Sequence, residues 1–298
     1  MSKNILFTGA QGFIGSRLLP LVKKLDWDIF SPEIDLFDIT SFENVLKEKS
    51  WDAVIHLAAI SHIPTCEKNP ELATRTNVLG TENVLAAIQN FSPDSYFVFA
   101  STAQVYSAPF GDEITAGVTL DETRVIAPQN HYAHTKRQAE ITIEKAADSK
   151  KIKATILRIF NHTHHTQSAD FFVPHLFSQI KDKLKEGGDT VSAGNMDLYR
   201  DIGSLHDLLN AFCAVLEKPP SQFEIFNICS GHTKHLSKIA HEMALALKWN
   251  GKFTIDPSRI RPGDPKLIRG SHDKLTAATG WRPSCETEKE LIQAFFQD

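Results

Sequence analysis

Two groups of residues could do chemistry. In Tyr132-Ala133-His134-Thr135-Lys136 a phenol and an amine stand one helical turn apart, and a hydroxyl pair, Ser101-Thr102, ends the apolar run Tyr96-Phe97-Val98-Phe99-Ala100. A free tyrosine titrates near ~10 and exchanges protons poorly at neutral pH unless its phenolate is stabilised. An ammonium at i+4 shares its helical face and favours the phenolate. Thr102 supplies a second hydroxyl to the oxygen that Tyr132 would protonate or deprotonate. The second group is Thr8-Gly9-Ala10-Gln11-Gly12-Phe13-Ile14-Gly15, between the apolar run Ile5-Leu6-Phe7 and a helical pattern. Glycines at this spacing form a phosphate cradle. Gly9 permits the tight turn, Gly12 lets a pyrophosphate approach bare N–H groups at a helix N-terminus, and Gly15 lets the helix pack on the strand. Gln11, Phe13 and Ile14 complete the cradle. Glycine-rich turns and surface Tyr/Lys pairs also occur without function, so each group carries weight through the other.

These groups need rigid elements beneath them. Strand-like runs fall at Ile5–Phe7, Asp28–Phe30, Ala53–His56, Tyr96–Ala100 and Thr155–Ile159, with helical patterns near Phe13–Leu25, Ser41–Glu48, Glu71–Asn90 and Gln129–Ala147. That alternation predicts βαβ units and a parallel sheet. Pro20 lies inside the first helix, where proline usually costs about 3 kcal/mol or bends the chain. Beyond about residue 165 the pattern loosens into helices at Asp170–Lys185, Leu205–Glu217, Ser237–Lys248 and Glu286–Phe296 and a strand at Glu224–Ile228. The expected fold is α/β: a Rossmann-type doubly wound parallel sheet over residues 1–165, to which about 198–228 return. A smaller interleaved substrate-binding domain is expected at about 166–197 and 229–298, with the substrate in the cleft between.

Composition agrees with a soluble globular protein: 298 residues, 42% hydrophobic and 23% charged. A net charge of −4 gives no pull toward nucleic acid or anionic membrane. No apolar stretch approaches the ~18–20 residues needed to span a bilayer. The chain enters its first strand without room for a signal peptide. Cys66, Cys213, Cys229 and Cys285 are scattered, as reduced thiols in a cytoplasmic enzyme would be.

A glycine cradle, a strand-end hydroxyl and a helical Tyr/Lys pair, in that order, resemble the extended short-chain dehydrogenase/reductase family, nearly end to end. The resemblance implies hydride exchange with a nicotinamide cofactor, with Lys136 also holding the nicotinamide ribose. It implies that Asp38 and Ile39 hold the adenine, that Leu57, Ala58 and Ala59 run beside the cofactor, and that Asn77 belongs to the N-x-x-G-T-x-N helix that flanks it. A carboxylate after the second strand binds a ribose 2′-hydroxyl, and an arginine there accommodates a 2′-phosphate. Ser31-Pro32-Glu33 offers only an acid, which favours NAD(H) through Glu33 and leaves NADP(H) open. Many members dimerise through a four-helix bundle that includes the Tyr/Lys helix, so a homodimer is expected.

Within this family, Leu157-Arg158-Ile159-Phe160-Asn161-His162, Gly194-Asn195-Met196-Asp197-Leu198-Tyr199-Arg200-Asp201 and Asp256-Pro257-Ser258-Arg259-Ile260-Arg261-Pro262 are similar to segments of GDP-4-keto-6-deoxy-D-mannose reductases. The similarity implies that Arg200 and Arg261 grip a sugar-nucleotide diphosphate and that Asn161 donates to the phosphates or the sugar. His164-His165 replace the usual Gly-Pro and Ala133-His134 the usual small pair, so the sugar can differ from the norm. His162, His164 and His165 have no carboxylate or cysteine at ligand spacing, and no metal site is expected. Reduction of a nucleoside-diphosphate 4-keto-6-deoxyhexose is the leading reading. A sugar-nucleotide 4-epimerase using the same centre is the nearest rival, and a non-catalytic dinucleotide sensor is a remote one.

The 4,6-dehydratases of this family carry an Asp or Ser and then a Glu after the threonine. Here Ala103 and Gln104 stand there, and neither exchanges a proton at neutral pH. Incubation with GDP-mannose and NAD+ should therefore yield no 4-keto-6-deoxy product by mass spectrometry. Accumulation of that product would overturn this reading of the strand-end segment.

Overall fold

Odd and even positions of the central strands bury against different layers. Ile5 and Phe7, Ala53 and Ile55, and Tyr96 and Val98 join one hydrophobic core, whereas Leu6, Val54, Phe97 and Phe99 join another. Strands apolar on both faces need helices on both faces, which only a buried parallel sheet provides. The computed structural model describes residues 3–25, 27–260 and 263–297. Among them the strands are β1 (Asn4–Thr8), β2 (Asp28–Phe30), β3 (Ala53–His56), β4 (Tyr96–Thr102), β5 (Val118–Leu120), β6 (Lys153–Ile159), β7 (Asn161–Thr163), β8 (Thr190–Ala193), β9 (Tyr199–Ser204), β10 (Phe223–Ile228), β11 (Thr233–His235), β12 (Lys252–Ile255) and β13 (Leu267–Gly270).

The main sheet has the order β10-β6-β4-β3-β1-β2, every pair parallel. Helices Gly15–Lys23 and Leu205–Glu217 cover one face, and Ile39–Lys47, Gly80–Phe91 and His131–Asp148 cover the other. The chain leaves β1 for β2 on one side and returns to β3 on the other, so the order reverses between β1 and β3. Ligands of such sheets bind at the carboxyl ends of the strands beside that reversal. A second sheet, β11-β9-β13-β5, with β7 added to β9, stands beside a third core built from helices Phe172–Glu186, Leu236–Ala246 and Glu288–Phe295. Strand β9 belongs to this second sheet, while the helix that follows it and β10 pack into the first. Among the described residues no helix is long and apolar enough to cross a membrane.

Two helices differ from the sequence pattern. The first runs through Pro20 and stops at Lys23. The pattern at Glu71–Asn90 resolves into Pro70–Thr74, a wide π-helical turn at Arg75–Leu79, and Gly80–Phe91. Such turns re-aim one side chain, and here the turn centres on Asn77.

Candidate active site

The cradle is built by backbone proximity. Gly9 has φ +73°, and a Cβ there would lie 2.5 Å from the Ala58 nitrogen. A Cβ on Gly15 would lie 2.3 Å from the Gly9 carbonyl oxygen. Neither position tolerates a side chain, so the turn after β1 lies directly on the backbone after β3, and the helix starts on the turn. Gln11 and Gly12 are exposed above it, while Leu57, Ala58 and Ala59 are half-buried. The N–H groups of Phe13 and Ile14 find no acceptor among the described residues. Bare amides at a helix N-terminus fit a pyrophosphate. The Phe13 ring turns away from the cradle, stacked on His162 at 5.8 Å with the Arg17 guanidinium at 4.7 Å. Arg17 in turn donates to Thr166, so the cradle helix grips the second half of the chain.

The candidate reaction centre is built where β4 ends. Thr102 ends β4 and Tyr132 opens helix His131–Asp148, whose N-cap Asn130 accepts from the Ala133 N–H. Both side chains are buried. Burial pushes the Tyr132 phenol well above its ordinary pKa, and a hydrogen bond with Thr102 opposes that rise. Lys136 is 3% exposed and forms no ion pair among the described residues. Its Nζ stands 4.1 Å from the centroid of the Phe99 ring. Burial lowers its pKa to about 7, with the Glu140 carboxylate pulling it back up. The amine thus holds its proton less firmly than the spacing alone implied. The exposed Gln104 accepts from Asn130 Nδ2 at 2.8 Å, which ties it to the helix start.

Beneath these groups runs an oriented chain of hydrogen bonds. Thr81 Oγ1 donates to the Asn77 carbonyl at 2.7 Å, so it accepts from His56 Nε2 at 3.1 Å. His56 Nδ1 then accepts from Thr8 Oγ1 at 2.6 Å. Burial and the nearby Lys136 push His56 down to about 3, which keeps the ring neutral. The Asn77 amide accepts from the Ile60 N–H at 2.8 Å and donates to the Ile60 carbonyl and to Thr135 Oγ1, both at 2.9 Å. Asn77 is therefore a clamp between the loop after β3 and the Tyr/Lys helix, and both its N–H donors are used within the protein.

The other residues singled out from the sequence lie apart. Asp38 is the N-cap of helix Ile39–Lys47 and accepts from the Thr40 N–H at 3.0 Å, with Ile39 half-buried behind it. Glu33 is exposed just past β2. Asn161 is exposed on β7. Arg200 donates to Asp264 Oδ1 and to the Pro265 and Tyr199 carbonyls, each at 2.8 Å, so its guanidinium holds the stretch that follows Arg261. Arg261 itself lies outside the described residues. Sequence reading missed Glu140 and His56, and a signal existed for the first: Tyr132, Lys136 and Glu140 recur at i+4 on one helical face.

Comparison with known proteins places the chain among enzymes. The sequence profile of the GDP-mannose 4,6 dehydratase family matches residues 22–294. The GDP-6-deoxy-D-mannose reductase of Pseudomonas aeruginosa is 27% identical over 304 residues, covering 100% of this chain and 97% of that protein. The GDP-6-deoxy-D-talose 4-dehydrogenase of Aggregatibacter actinomycetemcomitans is 31% identical over 233 residues, covering 76% and 74%. The structure of RMD from Pseudomonas aeruginosa complexed with NADPH superposes with a TM-score of 0.86 at 25% identity, covering 99% of this chain and 98% of that one.

Lys136 gives a prediction about stability. Its folded pKa of about 7 lies below the ordinary 10.5, so the unfolded chain binds the proton more readily. Stability therefore rises with pH between those values and is lost as pH falls toward 7. Lys136→Met removes the burden of a buried ammonium. Melting curves should show the variant ahead of the wild type, by most near pH 6 and by least near about pH 10. A gap that ignores pH contradicts a buried, titrating Lys136.

Proposed function

We propose, for a chain that belongs to the GDP-mannose 4,6 dehydratase family within the extended short-chain dehydrogenases/reductases, that it reduces the 4-keto group of a nucleoside-diphosphate 4-keto-6-deoxyhexose, GDP-linked by preference. The observation that carries this reading is a buried Tyr132 phenol and a buried Thr102 hydroxyl on neighbouring elements, together with an open glycine cradle after β1. The two curated relatives support it, since mannose and talose differ only at C4 and the named reactions concern 6-deoxy sugars of that pair.

In this reading the nicotinamide cofactor supplies the hydride. Tyr132 gives its proton to the ketone oxygen, and its raised pKa keeps that proton in place until the substrate takes it. Thr102 orients the same oxygen. Lys136 presents its amine to the cofactor ribose and the phenol. The amides of Phe13 and Ile14 take the pyrophosphate, with Ile39 and the capped Asp38 bordering the adenine. Glu33 supports NAD(H), whereas the RMD structure holds NADPH; NADP(H) use therefore stays within the proposal. Asn161, Arg200 and Arg261 serve the sugar nucleotide, Arg200 by bracing the segment of Arg261 through Asp264. Residues 1–165, apart from β5 and β7, form the dinucleotide domain with helix Leu205–Glu217 and β10, and the remainder, with β5 and β7, forms the substrate domain. A homodimer through helices Gly80–Phe91 and His131–Asp148 fits the exposed Leu72 and Leu79 near the first of them.

The test is Tyr132→Phe with GDP-4-keto-6-deoxy-mannose, followed by NAD(P)H absorbance. Turnover should fall by ~10²–10⁴, the usual contribution of a positioned acid/base, with dinucleotide affinity intact. Near-normal turnover in the variant would remove Tyr132 from the chemistry. Interconversion of 4-hydroxy sugar nucleotides without net cofactor consumption would replace reduction by epimerisation.

A further inference from the structure

Behind the reaction centre lies a charged cluster that hydride transfer does not require. Glu140 is fully buried and Arg158 is 2% exposed. Glu140 Oε1 accepts from Ser101 Oγ at 2.6 Å and from Arg158 Nε at 3.0 Å, and Oε2 accepts from Arg158 Nη2 at 2.9 Å and Arg137 Nη1 at 3.0 Å. Arg158 stands opposite Ser101 in the β4–β6 register, its guanidinium 4.9 Å from the centroid of the Tyr106 ring. The Tyr106 hydroxyl donates to Asn227 Oδ1 at 2.6 Å on β10.

The geometry has a consequence for the site. Ser101 continues the row of Phe97 and Phe99 that faces helix His131–Asp148, and its neighbour is Thr102. Glu140 lies one turn beyond Lys136 and two beyond Tyr132 on one face of that helix. A single carboxylate therefore grips the strand at the residue before Thr102 and the helix on the face that carries the other two groups. Apolar residues of similar volume would fill this space at no loss of stability, since desolvating an ion pair offsets most of its attraction. They would not enforce one register. An apolar contact slides, whereas a carboxylate accepting from Ser101, Arg158 and Arg137 has one arrangement.

We propose that Glu140 is a positioning residue, whose carboxylate sets the distance between Thr102 on the strand and Tyr132 and Lys136 on the helix. The inference rests on the reading of those three as the reaction centre. Charge contributes as well. Lys136 is faced by His56 from β3 and by Glu140 on its own helix, and Glu140 is the group that favours its protonation.

The test separates positioning from stability. Ser101→Ala/Glu140→Met/Arg158→Met removes the partners together and leaves Arg137 with Glu144. This variant should melt at or above the wild-type temperature, with dinucleotide Kd and sugar-nucleotide KM within about threefold and kcat on the 4-keto sugar lowered about 10- to 100-fold, the scale of sub-ångström to ångström misplacement. Wild-type kcat in a folded triple variant overturns the proposal. If that variant does not fold, Ser101→Ala decides alone, because it deletes one hydrogen bond and keeps the ion pair: kcat should fall severalfold at constant KM, and an unchanged kcat overturns the proposal. If the wild type turns over no nucleotide sugar, the functional reading fails, and the geometry is read directly from crystal structures of the wild type and of whichever variant folds. The separation of Thr102 Oγ1 from Tyr132 Oη and Lys136 Nζ should change in the variant; an unchanged separation overturns the positioning claim independently of any substrate.

Discussion

Everything at this site depends on how closely two stretches of bare backbone can approach. The turn after β1 and the chain after β3 meet where the sheet order reverses, and Gly9 sits there with a positive φ and no room for a Cβ beside Ala58. Gly15 repeats the constraint one step later, against the Gly9 carbonyl. With those contacts made, the helix must begin on the turn, and its first amides must face outward over the strand ends. The set of outward amides that would suit an anion follows from sterics before any charged residue is considered.

The second constraint is polar. A parallel sheet could carry only apolar residues on its inner faces, yet this one buries His56, Asn77, Thr81, Thr135, Lys136, Glu140 and Arg158. All but Lys136 hydrogen-bond to a residue on another element, and Lys136 lies against the Phe99 ring of β4. The neutral His56 joins β1 to helix Gly80–Phe91, Asn77 joins the loop after β3 to helix His131–Asp148, and Glu140 joins that helix to β4 and β6. Such networks add little net stability and fix geometry. Lys136 is the member whose burial works against stability, as expected where function and folding want different things from one residue.

Much of this was legible in the residues. The unbroken apolar runs Ile5–Phe7, Ala53–His56 and Tyr96–Ala100 follow directly from burial on two faces, and the strands stand where those runs do. The cradle and the Tyr/Lys helix were readable because their chemistry demands particular residue types at fixed local spacing. What escaped depends on contacts distant along the chain. The pattern at Glu71–Asn90 is helical throughout, and the π-helical turn exists because Asn77 reaches Ile60 and Thr135, one earlier in the chain and one much later. Arg200 reads as a free phosphate ligand until the fold brings Asp264 against it. Asp38 reads as an adenine contact, and its local geometry also makes it a helix cap.

In the proposed reaction, hydride passes between a nicotinamide held over this cradle and C4 of a sugar whose oxygen takes the Tyr132 proton. Turnover of a GDP-4-keto-6-deoxyhexose with NADH or NADPH deuterated at the transferable C4 position tests it directly, with each face labelled in turn. One label should appear at C4 of the product sugar, from one face only, with one cofactor oxidised per sugar reduced. Product without deuterium at C4, or sugar conversion without cofactor oxidation, would contradict that reaction.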